Sequence, residues 1–296
     1  MKTTRRVDTP RMLASASIIF ALGLSACTLA AKAIHNSTIS TSPRTQQSIS
    51  RDKNGPIRWI IAASGIEKIN PVGGSAIARK FFDNPDTFIL GNAQSLAGWI
   101  GTSVSVATNL TELQAIVSSK SRIGKDVMYD PEHWQFTPLS EQRSLFSSVV
   151  RAHSIASKAN LNLIVAPAMD LTKVLAQGQT SAQSYISLDI AGRIAPLVTD
   201  EEIQAQSLET NPVAYSKFVI TAAKQALSAN PSIKVYAGLS TNPNAHQATA
   251  EQLFLDIEDT KAIVVGYWLN IPGAGPKCPS FGVAKPQVAV RLLQML

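Results

Sequence analysis

Asp130 and Glu132 are the residues of this chain whose types and spacing most suggest chemistry. They stand two positions apart in "VMYDPEHW" (127–134), directly after an apolar run. On an extended chain such residues point the same way, so Met128, Asp130 and Glu132 share one face and Tyr129 and Pro131 the other. Pro131 disfavours helix at Asp130 and has no N–H to offer, so strand pairing is expected to end there. Two close carboxylates repel, and one of them tends to keep a proton near neutral pH. A protonated Glu beside a charged Asp is what general-acid cleavage of a glycosidic bond requires. The alternative is that Glu132 caps a loop or salt-bridges a helix.

Other chemistries find less support. The four histidines show no His-x-His or His-Glu-x-x-His spacing, so no metal is expected, although an Asp/Glu magnesium site stays open. There is no Gly-x-Ser-x-Gly elbow and no glycine-rich phosphate loop, and no cofactor is expected. Of the net charge of +7, +3 falls before residue 12 and the remaining +4 is spread without a basic run, which argues against a nucleic-acid partner.

The elements that must hold Asp130 and Glu132 alternate regularly. Short apolar runs occur at 57–65, 87–92, 103–107, 126–130, 161–168, 202–208, 233–240 and 262–270. Helix-like stretches fall between most of them, at 110–121, 137–160, 184–195, 213–229 and 247–260. In the stretch 137–160, Thr137 suits the N-cap and Pro138 the first helical position. Eight strands alternating with helices predict an α/β fold, a single (β/α)8 TIM barrel; an open doubly wound sheet is the runner-up. In such a barrel the active site lies at the C-terminal ends of the strands. Those ends carry Asn92, then Asp130 and Glu132, Asp170, Gln204, Gln206 and Glu209, then Ser240 and Asn242, and Tyr267, Trp268 and Asn270.

The first 27 residues read as an export signal: a cationic start with Lys2, Arg5, Arg6 and Arg11, the apolar stretch Met12–Leu24, then "LSAC" ending at Cys27. This resembles the bacterial lipobox, in which that Cys is lipidated. With Cys27 modified, Cys278 has no partner and no disulfide is expected. Residues 28–54, polar and rich in Ser and Thr, read as a flexible tether, leaving 55–296 as the barrel domain. At 45% apolar and 16% charged residues, the chain is suited to a packed domain.

Four strand ends resemble the family-18 glycoside hydrolases, the chitinase family, and in particular its hevamine-type members. "YDPE" (129–132) resembles the end of the fourth-strand signature D-G-x-D-x-D-x-E. "LNLIVAPAMD" (161–170), "EIQAQSLETNP" (202–212) and "VVGYWLNIP" (264–272) resemble its fifth, sixth and eighth strands. The resemblance implies Glu132 as general acid, Asp130 orienting the substrate's acetamido group, Trp268 under the reacting sugar and Gln206 lining the pocket. Asn92, Asp170, Gln204, Glu209 and Tyr267 are further candidates for substrate binding. Where the signature has its other two Asp residues this chain has Met128 and Lys125, and Leu208 stands where the sixth strand has Tyr. Glu209 beside it offers a second carboxylate for an ordinary two-carboxylate mechanism. The expectation is a lipoprotein anchored through Cys27 on the extracytoplasmic side of a cell envelope, cleaving a polysaccharide or oligosaccharide. The alternative is a non-catalytic carbohydrate-binding or structural protein on the same scaffold.

Overall fold

Strand residues two apart share a face, and this rule organises the barrel. A computed structural model of the chain describes residues 55–91, 96–119, 124–176, 178–243, 247–275 and 281–296. The export signal with Cys27, the tether, Asn92 and Cys278 lie outside the described residues. Strands β1 (Arg58–Ala62), β2 (Phe88–Leu90), β3 (Thr102–Ala107), β4 (Asp126–Tyr129), β5 (Asn162–Val165), β6 (Asp200–Ile203), β7 (Lys234–Ser240) and β8 (Gly266–Asn270) form a closed parallel barrel in chain order. Closure is made where β8 pairs with β1, Gly266 opposite Arg58 and Trp268 opposite Ile60. The chain is thus a (β/α)8 TIM barrel.

Two apolar cores follow from the two strand faces. Ile60, Leu90, Val104, Met128, Ile164, Ala166, Tyr236 and Trp268 fill the lumen. The alternate residues, among them Trp59, Ile61, Val127, Tyr129, Leu163 and Tyr267, pack outward against the helices. These are α1 (Ala63–Ile69), α2 (Ser75–Phe82), α3 (Leu110–Ser118), α4 (Leu139–Arg143), α5 (Leu145–Lys158), α6 (Thr172–Leu175), α7 (Ser181–Ser187), α8 (Ile190–Ile194), α9 (Pro212–Ala229), α10 (Ala250–Thr260) and α11 (Pro286–Met295). Among the described residues no helix is long and apolar enough to cross a membrane.

Several boundaries differ from expectation. The helix at 137–160 is broken into α4 and α5 at Ser144, where φ is −121° and ψ 41°. Thr137 does not cap it. Its hydroxyl donates to the Thr108 carbonyl and accepts from Glu132 N and Trp134 Nε1, so Pro138 takes the cap position. The stretch 184–195 divides into α7 and α8 at Asp189, which adopts the left-handed region at φ 51°. The sixth strand covers Asp200–Ile203 rather than 202–208, and Gln206–Leu208 forms a turn of 3-10 helix. Three consecutive acids argue against a strand on local propensity. Barrel closure overrides that preference by pairing Asp200 with Ile164 on one side and Lys234 on the other.

That override buries acid. Glu201 faces outward toward Tyr185 and Asp189, is wholly buried, and neither carboxyl oxygen has a hydrogen-bond partner. Asp256 of α10 is likewise buried without a partner for its carboxyl. Burial, then the nearby Asp189, holds Glu201 well above the usual carboxylate range; burial, then Asp259, pushes Asp256 up to about 8. Such groups bind protons in the native state that the unfolded chain releases near pH 4. Their stabilising effect is therefore complete below the unfolded value and is lost as pH rises through the native one. The melting temperature should fall by roughly 5 °C or more between pH 5 and pH 9, and Asp256→Asn should make that decline shallower. Calorimetry across this range checks both.

Candidate functional site

The exit of β4 is held from both sides. Asp130 N donates to the Ala107 carbonyl at 2.8 Å, and the carbonyls of Tyr129 and Pro131 accept from Ala166 N and Ala168 N, each at 3.0 Å. The bond to the Pro131 carbonyl is the last of these: Glu132 N turns to Thr137 Oγ1, and pairing ends at Pro131 as expected. On the outer face the Tyr129 hydroxyl donates to Glu141 Oε2 at 2.9 Å, which pins the strand to α4. Asp130 and Glu132 are left on the lumen face at the mouth.

Their environments differ. Asp130 is 6% exposed, and its Oδ1 accepts from Gln204 Nε2 at 2.7 Å; the same nitrogen donates to the Ala166 carbonyl at 2.9 Å. Burial pushes the Asp130 carboxyl up to about 7, against the Gln204 bond, which favours the charged form. Glu132 is anchored by its backbone N–H to Thr137 Oγ1. Burial, then the charges of Asp130 and Asp170, pushes its carboxyl up to about 9. The amide donor thus favours charge on Asp130, and the proton stays on Glu132.

Glu132 borders a cavity of about 330 Å³ whose walls include Asp170, Gln204, Gln206, Asn270 and Phe281. Asp170 Oδ1 accepts from His133 N at 3.1 Å, and its other oxygen lies 3.7 Å from Lys173 Nζ. The structure therefore brings together Asp130, Glu132, Asp170, Gln204 and Gln206.

Three sequence candidates are placed elsewhere. Tyr267 points away from the mouth: it is fully buried, donates to the Ile257 carbonyl at 3.0 Å, lies 2.9 Å from Thr260 Oγ1 and packs beside Trp59. The parity that turns Trp268 inward necessarily turns Tyr267 outward. Glu209 is also wholly buried, its Oε1 accepting from Ser240 N, and it ties the loop after β6 to the end of β7. Burial holds its carboxyl well above the usual range. Trp268 does face the lumen, but at 9% exposure it packs with the lumen core and is not among the residues lining the cavity. Phe281 is the aromatic on the cavity wall.

One carboxyl escaped sequence reasoning. Glu202 lies on β6 two residues before Gln204, on the lumen face, and is wholly buried. The signal was present, since Glu202, Gln204 and Gln206 keep period two, but it is legible only once the strand is started at Asp200. Among the described residues no group of three or more His, Cys, Asp or Glu is arranged to hold a metal ion.

No family model and no curated protein matches this chain. Among solved structures, 71 chains match. A hydroxymethylglutaryl-CoA lyase from Pseudomonas aeruginosa is 12% identical, covering 77% of this chain and 81% of its own, with a TM-score of 0.47. A 3-deoxy-D-arabino-heptulosonate 7-phosphate synthase from Thermotoga maritima, a truncated form, is 10% identical over 82% and 86%, with a TM-score of 0.45. The spore cortex-lytic enzyme SleL of Bacillus megaterium is 11% identical over 81% and 73%, with a TM-score of 0.44. These likenesses carry nothing about substrate or reaction.

The Gln204 amide is the group that favours charge on Asp130, so its removal has a defined effect. Gln204→Leu should raise the titration of Asp130, read by carboxyl carbon NMR, and cost about 1–3 kcal/mol in denaturant unfolding by leaving a buried acceptor unpaired. An unmoved titration would show that Asp130 does not depend on this bond.

Proposed function

We propose that this chain is an exported, membrane-anchored TIM-barrel protein that binds and cleaves a polysaccharide, with Glu132 as general acid and Asp130 as its charged partner. The observation that carries this reading is the placing of Glu132 on the wall of an open cavity, two residues after a buried Asp130 whose carboxylate accepts the Gln204 amide. Glu132 would protonate the glycosidic oxygen as the bond to the leaving sugar breaks. Asp130, its charge favoured by Gln204, would stabilise the positive charge that develops on the sugar ring or orient a nucleophilic substituent of the substrate. Gln206 and Asn270 offer amides to sugar hydroxyls, and Phe281 offers an apolar surface. Glu209, buried behind β7, is not suited to serve as the second carboxylate; Asp130 and Asp170 are the candidates. A second reading is sugar binding without turnover, in which Gln206, Asn270 and Phe281 at the cavity wall hold a sugar and Glu132 transfers no proton.

Turnover requires a protonated Glu132 and a charged Asp130. The rate is therefore expected to rise as pH passes through about 7 and to fall as it passes through about 9, as macroscopic values of the coupled pair. The protein should be screened on chitin, peptidoglycan and common glycans beside Glu132→Gln, which should lower kcat by roughly 100-fold or more. Equal activity in both would sink the role of Glu132; binding without turnover would favour the second reading.

The export signal and Cys27 support anchoring on the extracytoplasmic side of the envelope. Cys27→Ser should abolish incorporation of labelled fatty acid and move the protein from the membrane to the soluble fraction. Unchanged labelling would reject the anchor.

A further inference from the structure

The reaction proposed above leaves one lumen group unused. Glu202 is wholly buried beneath the mouth, and neither of its carboxyl oxygens has a hydrogen-bond partner. An unpaired carboxylate in such a place costs far more than the neutral acid. The charges acting on it come from other carboxyls: Asp130 just past the end of β4, Glu132 beyond it, and Glu201 on its own strand. Tyr236 stands opposite it on β7, and the phenols Tyr185 and Tyr215 feel its charge. Burial first, and then each of these carboxylates, opposes its ionisation.

β7 makes the room. Gly238 has no side chain, and a Cβ built there would lie 2.6 Å from Glu202 Oε1 and closer still to the Gln206 amide nitrogen. Both side-chain tips therefore rest in the space that this glycine leaves, Gln206 reaching on to the cavity wall. Of the three carboxyls Asp130, Glu132 and Glu202, Asp130 is the one that accepts the Gln204 amide.

We propose that Glu202 is a positioning residue of this site: a lumen acid that packs beside Gln206 in the space Gly238 leaves and, uncharged, leaves the negative charge of the Asp130–Glu132–Glu202 group on Asp130. The role rests on the reading of the mouth as a glycan site, but the protonation state can be tested without turnover. With Glu202 neutral, the group holds two protons and one charge. An ionised Glu202 would instead drive a proton onto Asp130 and erase the difference between acid and charged partner.

The test uses the full chain and the variants Glu202→Gln and Glu202→Ala. Infrared spectra at pH 7 count protonated carboxyls. Both variants should lose one such band relative to the unsubstituted protein. On the glycan that the screen identifies, Glu202→Ala should lose about tenfold in turnover, or in binding if the site does not turn over, because it removes the side chain packed beside Gln206; Glu202→Gln, neutral and of the same shape, should stay within about threefold. The rise of activity near pH 7 should stay in place in Glu202→Gln. An unchanged infrared band in Glu202→Gln would overturn the proposal by showing that Glu202 is ionised. Equal activity of the Ala and Gln variants would overturn it by showing that Gln206 does not depend on Glu202. If no glycan binds or reacts, the function proposed above fails; the band count still decides the charge state, and the amide proton exchange of Gln206, expected to be faster in Glu202→Ala alone, decides the packing role.

Discussion

The amide nitrogen of Gln204 donates to both the Asp130 carboxylate and the Ala166 carbonyl, and these bonds tie β6 to the mouth ends of β4 and β5. Much at the mouth depends on them. They give a buried carboxylate a donor, so charge is favoured at one known place. They also set the electrostatic condition under which the neighbouring Glu132 keeps a proton. A general acid and a charged partner need not be different residue types; different surroundings suffice.

The same physics explains the acids that have no donor. The barrel closes by backbone pairing, and pairing is indifferent to what the side chains carry. β6 brings in three acids. Asp200, at the opposite end from the mouth, faces Lys234 at 4.0 Å. Glu201 and Glu202 are buried on opposite faces without partners. Nearby, Asp126 accepts from Asn162 Nδ2 at 2.9 Å. At the bottom acids are matched with a cation or an amide. At the mouth Asp130 takes the Gln204 amide, but ionisation of Glu132 and Glu202 is opposed by burial and by neighbouring carboxylates; a retained electrostatic cost of this kind is common where a site does chemistry.

The alternation of apolar runs with helices was enough to read the eight-strand barrel, because lumen and helix-facing cores each demand a period-two strand. Its weakest point was β6, where Asp200–Glu201–Glu202 mimics a loop or a helix start. That one misplaced boundary also hid Glu202 from the candidate site. Asp130, Glu132, Asp170, Gln204 and Gln206 were legible as residues at strand ends, and they do gather at one mouth. Tyr267 and Glu209 were also chosen for lying near a strand end, but proximity along the chain says nothing of direction. Tyr267 follows strand parity outward, and Glu209 turns back to cap Ser240 N.

By itself the sequence determined the period of the elements, hence the closed parallel barrel, and the presence of two same-facing carboxyls at the end of β4. Both are local properties, set by side-chain alternation and by the φ restriction that Pro131 imposes. Only the tertiary structure decided which acids meet and which carry protons. Asp130 is separated from Gln204 by 74 positions in the chain, and Glu202 from Gly238 by a whole helix. Desolvation is a property of the assembled surroundings, and no spacing in the sequence records how much water a carboxyl loses when the barrel closes around it.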